Sequence, residues 1–188
     1  MIAPISYLRS QKGEVLLNMA GIAGTCIALL VAYYYQLGKM EMPCPLCLLQ
    51  RAGLIMTGCG FFYNVRFGVR SAHYGAILLG SVVTGFIAAR HISLHILPGD
   101  SGYGSTLFGL HLYTWGLIAS VLTIIYVAII LIAGNQNHNS EVFVRMSVWC
   151  KCIVSLFILL IALNVISTVL ECGAGACPAN PIYYQLLH

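Results

Sequence analysis

Charge is what this chain lacks. Charged residues make up 7% of its 188 positions, where a soluble domain carries about 25%, and that shortage excludes water as the solvent of the folded surface. The charge that is present is small and scattered. A net +4 spread along the chain forms no basic stripe, so nucleic acid is excluded as a partner. There is no internal repeat and no low-complexity stretch, and the polar connections are too short for a soluble module. No cleavable signal is expected, because the polar start with Arg9 and Lys12 leads into an apolar stretch too long for a signal peptide.

What remains is apolar: 60% of the chain is hydrophobic. Five runs stand out, about Val15–Leu37, Leu48–Val65, Tyr74–Leu97, Leu110–Ala133 and Val148–Leu170. Each is near the 20 residues that cross a bilayer at 1.5 Å rise per residue. In lipid the backbone must satisfy its own polar groups, so these runs are helices. The expected fold is therefore an all-α membrane protein, a single integral domain over residues 1–188 with a tail from 171 to 188.

Lysine and arginine set the orientation. With the N-terminus inside, Arg9, Lys12, Arg66, Arg70, Arg145 and Lys151 fall at the inner face, against Lys39, Arg51 and Arg90 at the outer face. Six against three follows the positive-inside rule. Tyr33, Tyr34, Tyr35, Tyr113 and Trp115 gather near the outer ends of spans one and four. They suit either an aromatic belt at the interface or packing between helices.

The chemistry lies in the cysteines. Cys44 and Cys47 stand in Pro43-Cys44-Pro45-Leu46-Cys47 at the start of span two. Pro43 and Pro45 suit a helix entry, where a missing N–H costs little. Thiolates at a helix N-terminus are favoured by its partial positive charge. Arg51 lies four residues beyond Cys47, on the same helix face. An arginine inside hydrocarbon is expensive and points to function; the alternative is a side chain snorkelling to the interface. A zinc half-site is the alternative for the two cysteines, with Cys172 and Cys177 as further ligands. Two-electron thiol chemistry is the preferred reading, with no metal.

Cys172 and Cys177 follow span five in Glu171-Cys172-Gly173-Ala174-Gly175-Ala176-Cys177-Pro178. Spans one and five are both odd-numbered, so both cysteine pairs emerge on one side, the outer and oxidising side. The tail pair suits either a permanent staple or an exchangeable disulfide, and its flexible, exposed setting favours exchange. Cys26 and Cys59 lie within spans as small hydrophobes. Cys150 and Cys152, at the inner end of span five, are expected to be free thiols.

Arg90, His91 and His95 cluster near the outer end of span three, and His111 opens span four on the same side. Such histidines suit a carbonyl acceptor or its protons, ligation of haem, or simple interfacial packing. Asn164 in span five is placed to hydrogen-bond another helix.

Pro43-Cys44-Pro45-Leu46-Cys47-Leu48-Leu49-Gln50-Arg51 after a first span, with Arg90-His91 followed by Leu94 and Pro98 at the end of span three, resembles the DsbB family of membrane disulfide-forming proteins. The resemblance covers about residues 15–134. It implies a four-helix bundle in the bacterial inner (cytoplasmic) membrane, here with a fifth transmembrane helix. It implies oxidation of a DsbA-like thioredoxin-fold protein, with electrons passed to ubiquinone or menaquinone, the relay known to keep the bacterial periplasm oxidising. By motif position it makes Cys44 and Cys47 the quinone-coupled pair, Cys47 the sulfur nearest the quinone, Arg51 its electrostatic partner and His91 a quinone contact. In one place the sequence departs from the family. The loop Pro98 to Gly109, where the resemblance implies a second redox pair, has no cysteine, and Cys172 with Cys177 is expected to take over that role. Rival readings are a vitamin K epoxide reductase-like thiol and quinone enzyme, a haem b or quinone-binding subunit using His91, His95 and His111, and a non-catalytic scaffold stapled by disulfides.

Overall fold

The computed structural model describes residues 5–133, 147–173, 175–179 and 181–187. Arg145, counted above among the inner-face charges, lies outside the described residues, as do the side chains of Arg9 and Lys12. The chain forms α1 (Ile5–Tyr33), continued by one π-helical turn (Tyr34–Gly38), then α2 (Pro45–Phe67) and α3 (Ser71–Leu94). A short antiparallel ribbon of β1 (Thr106–Leu107) and β2 (Leu110–His111) leads into α4 (Leu112–Ala133). After α5 (Val148–Cys172) the tail closes on a 3₁₀ turn, Gln185–Leu187. All five α-helices are long and apolar enough to cross a membrane.

Helix α2 is central. It packs on α1, α3 and α5, while α4 reaches the bundle mainly through α3. In its most apolar stretch 44% of α2 is buried, against 17% for α4 and for α5, so the last two helices form the rim. Met19, Ile22, Leu29, Phe61, Ile77 and Phe157 fill the space between them. Phe86, Ile132 and Trp149 stand exposed on the outside, where hydrocarbon rather than water suits them.

Lipid tails are as apolar as leucine, so close packing and buried polar contacts must hold the helices together. The crossing of α2 and α3 supplies both. A Cβ added to Gly80 would stand 2.7 Å from the Thr57 nitrogen and 3.0 Å from the Gly53 oxygen. Only two glycines permit backbones that near. Alongside, Ser120 Oγ of α4 donates to the Ser81 carbonyl of α3 at 2.5 Å. At the other end of the bundle Asn64 Nδ2 donates to Asn18 Oδ1 at 2.8 Å, joining α2 to α1. Asn164 is buried, but its Oδ1 has no partner among the described residues.

Helix α2 begins at Pro45, three residues before the expected apolar run, because Cys44 caps it: the Cys47 N–H donates to Cys44 Sγ at 3.2 Å. Of the rings assigned to belt or packing, Tyr33, Tyr35 and Tyr113 are buried and Tyr34 is exposed, so packing accounts for most of them. Replacement of Gly80 by Leu is expected to push α2 and α3 apart and to cost about 1–3 kcal/mol, measured as a lower midpoint of thermal unfolding in detergent; an unchanged midpoint would contradict this packing.

Candidate functional site

The site lies where α1 ends and α2 begins. Cys44 is 5% exposed and Cys47 is half-buried one turn into α2. Their sulfurs are 2.6 Å apart, a short movement from the ~2.05 Å of a disulfide. His91, reaching across from the end of α3, is 2% exposed and fixes this pair from behind. Its Nδ1 is 3.3 Å from Gln50 Nε2. An amide nitrogen can only donate, so Nδ1 accepts and the ring proton sits on Nε2. That nitrogen faces Cys44 Sγ at 3.9 Å. The hydrogen bond from the Cys47 thiol, helped by the His91 ring and the Cys47 backbone N–H, outweighs burial and holds the Cys44 thiol well below the usual thiol range. Cys44 is thus the sulfur built to carry negative charge at neutral pH.

Arg51 does not snorkel. It is 6% exposed and turns inward toward α1, where Nη1 donates to Gln36 Oε1 at 2.5 Å and Nη2 to the Ala32 carbonyl at 3.1 Å. The guanidinium also lies 5.2 Å from the centre of the Tyr33 ring, a cation–π distance. Its charge is therefore met by dipoles and a ring face. Gln36 is itself buried, because the π-helical turn carries both Tyr35 and Gln36 inward; such turns recur at functional sites. The Gln36 amide nitrogen donates onward to Ser167 Oγ of α5 at 2.8 Å and to the Tyr184 hydroxyl of the tail at 3.0 Å. Sequence reasoning missed Gln36. The signal was an amide at the end of an apolar span, directly after three tyrosines.

Cys47, Gln50 and Arg51 open onto a cavity of about 290 Å³ between α1, α2, α4 and the β-ribbon. Its walls are mostly apolar, including Ile27, Leu54 and Trp115. A few polar groups at one end of an apolar cleft is the usual form of a small-molecule site. His91 is not in that lining: it stands on the far side of Cys44, with both ring nitrogens engaged. His91, His95 and His111 are brought together around Tyr113, with ring centres 4.3, 6.0 and 5.1 Å from it. The loop between α3 and α4 is clasped over the segment that leads to Cys44. Tyr103 OH donates to the Met42 carbonyl at 2.8 Å, the Ser105 N–H donates to Glu41 Oε2 at 2.9 Å, and the Ser105 hydroxyl donates to the other Glu41 oxygen.

Cys172 and Cys177 are joined, with Cα atoms 4.4 Å apart. Only half of the expected exposure is present. Cys177 is partly accessible, whereas Cys172 is 5% exposed, because it still belongs to the last turn of α5 and faces the bundle. The bridge also removes these two from any shared zinc site with Cys44 and Cys47. Cys44, Cys47 and His91 do bring three ligand atoms within 4.8 Å, the count of an open zinc site. Cys26, Cys59, Cys150 and Cys152 are free, and the last two sit at the opposite end of α5.

A capped dithiol, a buried cation and an apolar cavity among membrane-spanning helices define a membrane-embedded oxidoreductase that works on thiols. The sequence model of "Disulfide bond formation protein DsbB" matches residues 14–105. "Disulfide bond formation protein B" of Burkholderia pseudomallei is 30% identical over 68% of this chain and 93% of its own length. "Disulfide bond formation protein B 1" of Pseudomonas syringae pv. syringae is 31% identical over 70% and 95%. The protein of Burkholderia ambifaria is 38% identical, but over 51% of this chain, which spans 58% of that relative. No solved structure matches. The chain belongs to the DsbB family of disulfide bond formation proteins.

The lowered pKa means that the thiolate of Cys44 persists to a pH below that of an ordinary thiol and is lost as pH falls further. Replacement of His91 by Ala removes one of its hydrogen bonds and is expected to move the midpoint upward, read from the ultraviolet absorbance of the thiolate in reduced protein. An unmoved midpoint would show that the ring does not stabilise the charge.

Proposed function

We propose that the protein reoxidises a periplasmic, DsbA-like thioredoxin-fold protein and passes the electrons to a membrane quinone. The observation that carries this reading is the placement of Cys47 on the wall of an apolar cavity that also holds Arg51. The cavity's chemistry fits a quinone headgroup, which is neutral, ring-shaped and edged by carbonyl oxygens. Arg51 and Gln50 supply donors for such an oxygen, Cys47 the adjacent sulfur, and Ile27, Leu54 and Trp115 the apolar walls. A bound quinone would supply a sink for two electrons and two protons. Ubiquinone and menaquinone both meet that description.

The protein's own residues account for the thiol steps. A partner thiolate attacks Cys177, the more accessible sulfur of the tail pair, and the bond to Cys172 breaks with its electron pair on Cys172. The partner's second thiol then attacks the mixed disulfide and leaves oxidised. Cys172 attacks Cys44, the Cys44–Cys47 bond breaks, and the electron pair remains on Cys47. Cys177 recloses the tail disulfide and frees Cys44 as a thiolate, the state its surroundings favour. Arg51 stabilises charge at Cys47 in a low-dielectric site, where such stabilisation is strongest. The link from Gln36 to Ser167 and Tyr184 supports this relay, since it ties the ends of α1 and α5 together. The lysine and arginine count supports an orientation with that end outside and the N-terminus cytoplasmic, which in a bacterial inner membrane is the periplasmic side.

Replacement of Arg51 by Gln is expected to slow quinone reduction about 10²-fold, followed by quinol absorbance; an unchanged rate contradicts its role. Replacement of Cys172 or Cys177 by Ser is expected to abolish oxidation of a reduced thioredoxin-fold partner, while dithiothreitol still drives quinone reduction through Cys44 and Cys47. Normal partner oxidation in both variants would make the tail a mere staple.

A further inference from the structure

Glu171 is the least expected group in the bundle. It is the one acid within α5 and is 0% exposed. Neither of its carboxylate oxygens has a hydrogen-bond partner among the described residues. A buried carboxyl in this state is costly, and ionisable groups inside membrane helices mark proton or substrate paths. Its position is specific. It precedes Cys172, and it lies within electrostatic reach of the Arg51 guanidinium and the Cys44 thiol. It also acts on the Tyr103 hydroxyl of the loop between α3 and α4. Behind Arg51 stand Tyr33 of α1 and Tyr184 of the tail. Among the described residues, Arg51, Cys44 and Tyr103 are thus the titratable groups that Glu171 meets directly, and Tyr33 and Tyr184 meet it through Arg51. A staple for the tail would need no acid here. An apolar residue would fill the place without the desolvation cost.

We propose that Glu171 is the acid–base residue of the internal disulfide exchange, holding the proton that Cys172 must lose and regain. The proposal rests on the relay described above. When partner attack at Cys177 breaks the tail disulfide, the electron pair is left on Cys172 in a buried place that water does not reach. The Glu171 carboxyl gives its proton to that sulfur. In the next step the Cys172 thiol returns the proton to the carboxylate as its sulfur attacks Cys44. One S–S bond forms between Cys172 and Cys44, and the Cys44–Cys47 bond breaks with its pair on Cys47. The carboxyl ends as it began, and two electrons have moved inward. Arg51 keeps the carboxylate and the departing thiolate from meeting as uncompensated like charges. Free oxygens suit this task, since proton uptake breaks no hydrogen bond.

The full-length Cys177→Ser variant isolates the step. It leaves Cys172 as a thiol facing an oxidised Cys44–Cys47 pair, in detergent and without quinone. After a jump to higher pH, acid quenching and peptide mapping read the rate at which the Cys172–Cys44 mixed disulfide forms. With Glu171 present, the rate is expected to rise first as the carboxyl loses its proton, then again as the thiol itself ionises. Adding Glu171→Gln should remove the first rise and slow the reaction there by about 10²-fold. Adding Glu171→Asp should restore the first rise. A purely structural role would not create or remove a limb of the pH profile. The same rate and profile in the Gln variant would overturn the proposal and leave the relay standing. Absence of any Cys172–Cys44 product with Glu171 in place would overturn the relay itself, and the proposal with it.

Discussion

The structure turns on one buried cation. Arg51 stands among membrane helices at 6% exposure, and its guanidinium must be satisfied or the bundle would not close over it. The solution is an amide. Gln36 accepts from Arg51 and donates to α5 and the tail, so a single neutral side chain connects three parts of the chain. A carboxylate in its place would neutralise the arginine and spend its field. The amide orients the cation and leaves most of its charge to act on the neighbouring sulfur and cavity. The π-helical turn exists at the point where Gln36 and Tyr35 both have to face inward.

Much of this was legible in the sequence, for physical reasons. Five helices follow from hydrocarbon length and from the need of every backbone amide for a partner. The two cysteine pairs stand out by their spacing. Arg51 announces itself because charge is so rare. What was not legible depends on side-chain direction. Whether Tyr33 lies at an interface or against a guanidinium is the same letter in the sequence. His91 reads as facing the cavity from its place near the end of α3, yet the rotation of that helix sets it behind Cys44. Glu171 was visible as an acid next to a cysteine, but only packing shows that its oxygens find no donor among the described residues. Likewise the tail disulfide reads as exposed from its glycines, and the continuation of α5 through Cys172 hides one of its two sulfurs.

The fifth helix carries the tail disulfide at its end. The match to the family's sequence model ends at residue 105, before α4 and α5. In this chain the loop between α3 and α4 carries no cysteine and is clasped to Glu41 and Met42, a fixed part of the site's outer wall. The accessible sulfur is instead Cys177, at the end of a helix that packs on α1 and α2. Whatever reaches the tail is thereby coupled to the same pair of helices that hold Arg51 and Gln36.

The clasp between Tyr103, Ser105 and the segment leading to Cys44 has a consequence for selectivity. Oxidising equivalents held at a membrane dithiol can leak to any small reductant that touches it. With Cys44 buried beneath a tethered loop and Cys47 half-buried on the wall of an apolar cavity, a thiol dissolved in the surrounding water meets little of either sulfur. In the relay proposed above, the path is covered along its length and open at two ends, the cavity beside Cys47 and the partly accessible Cys177.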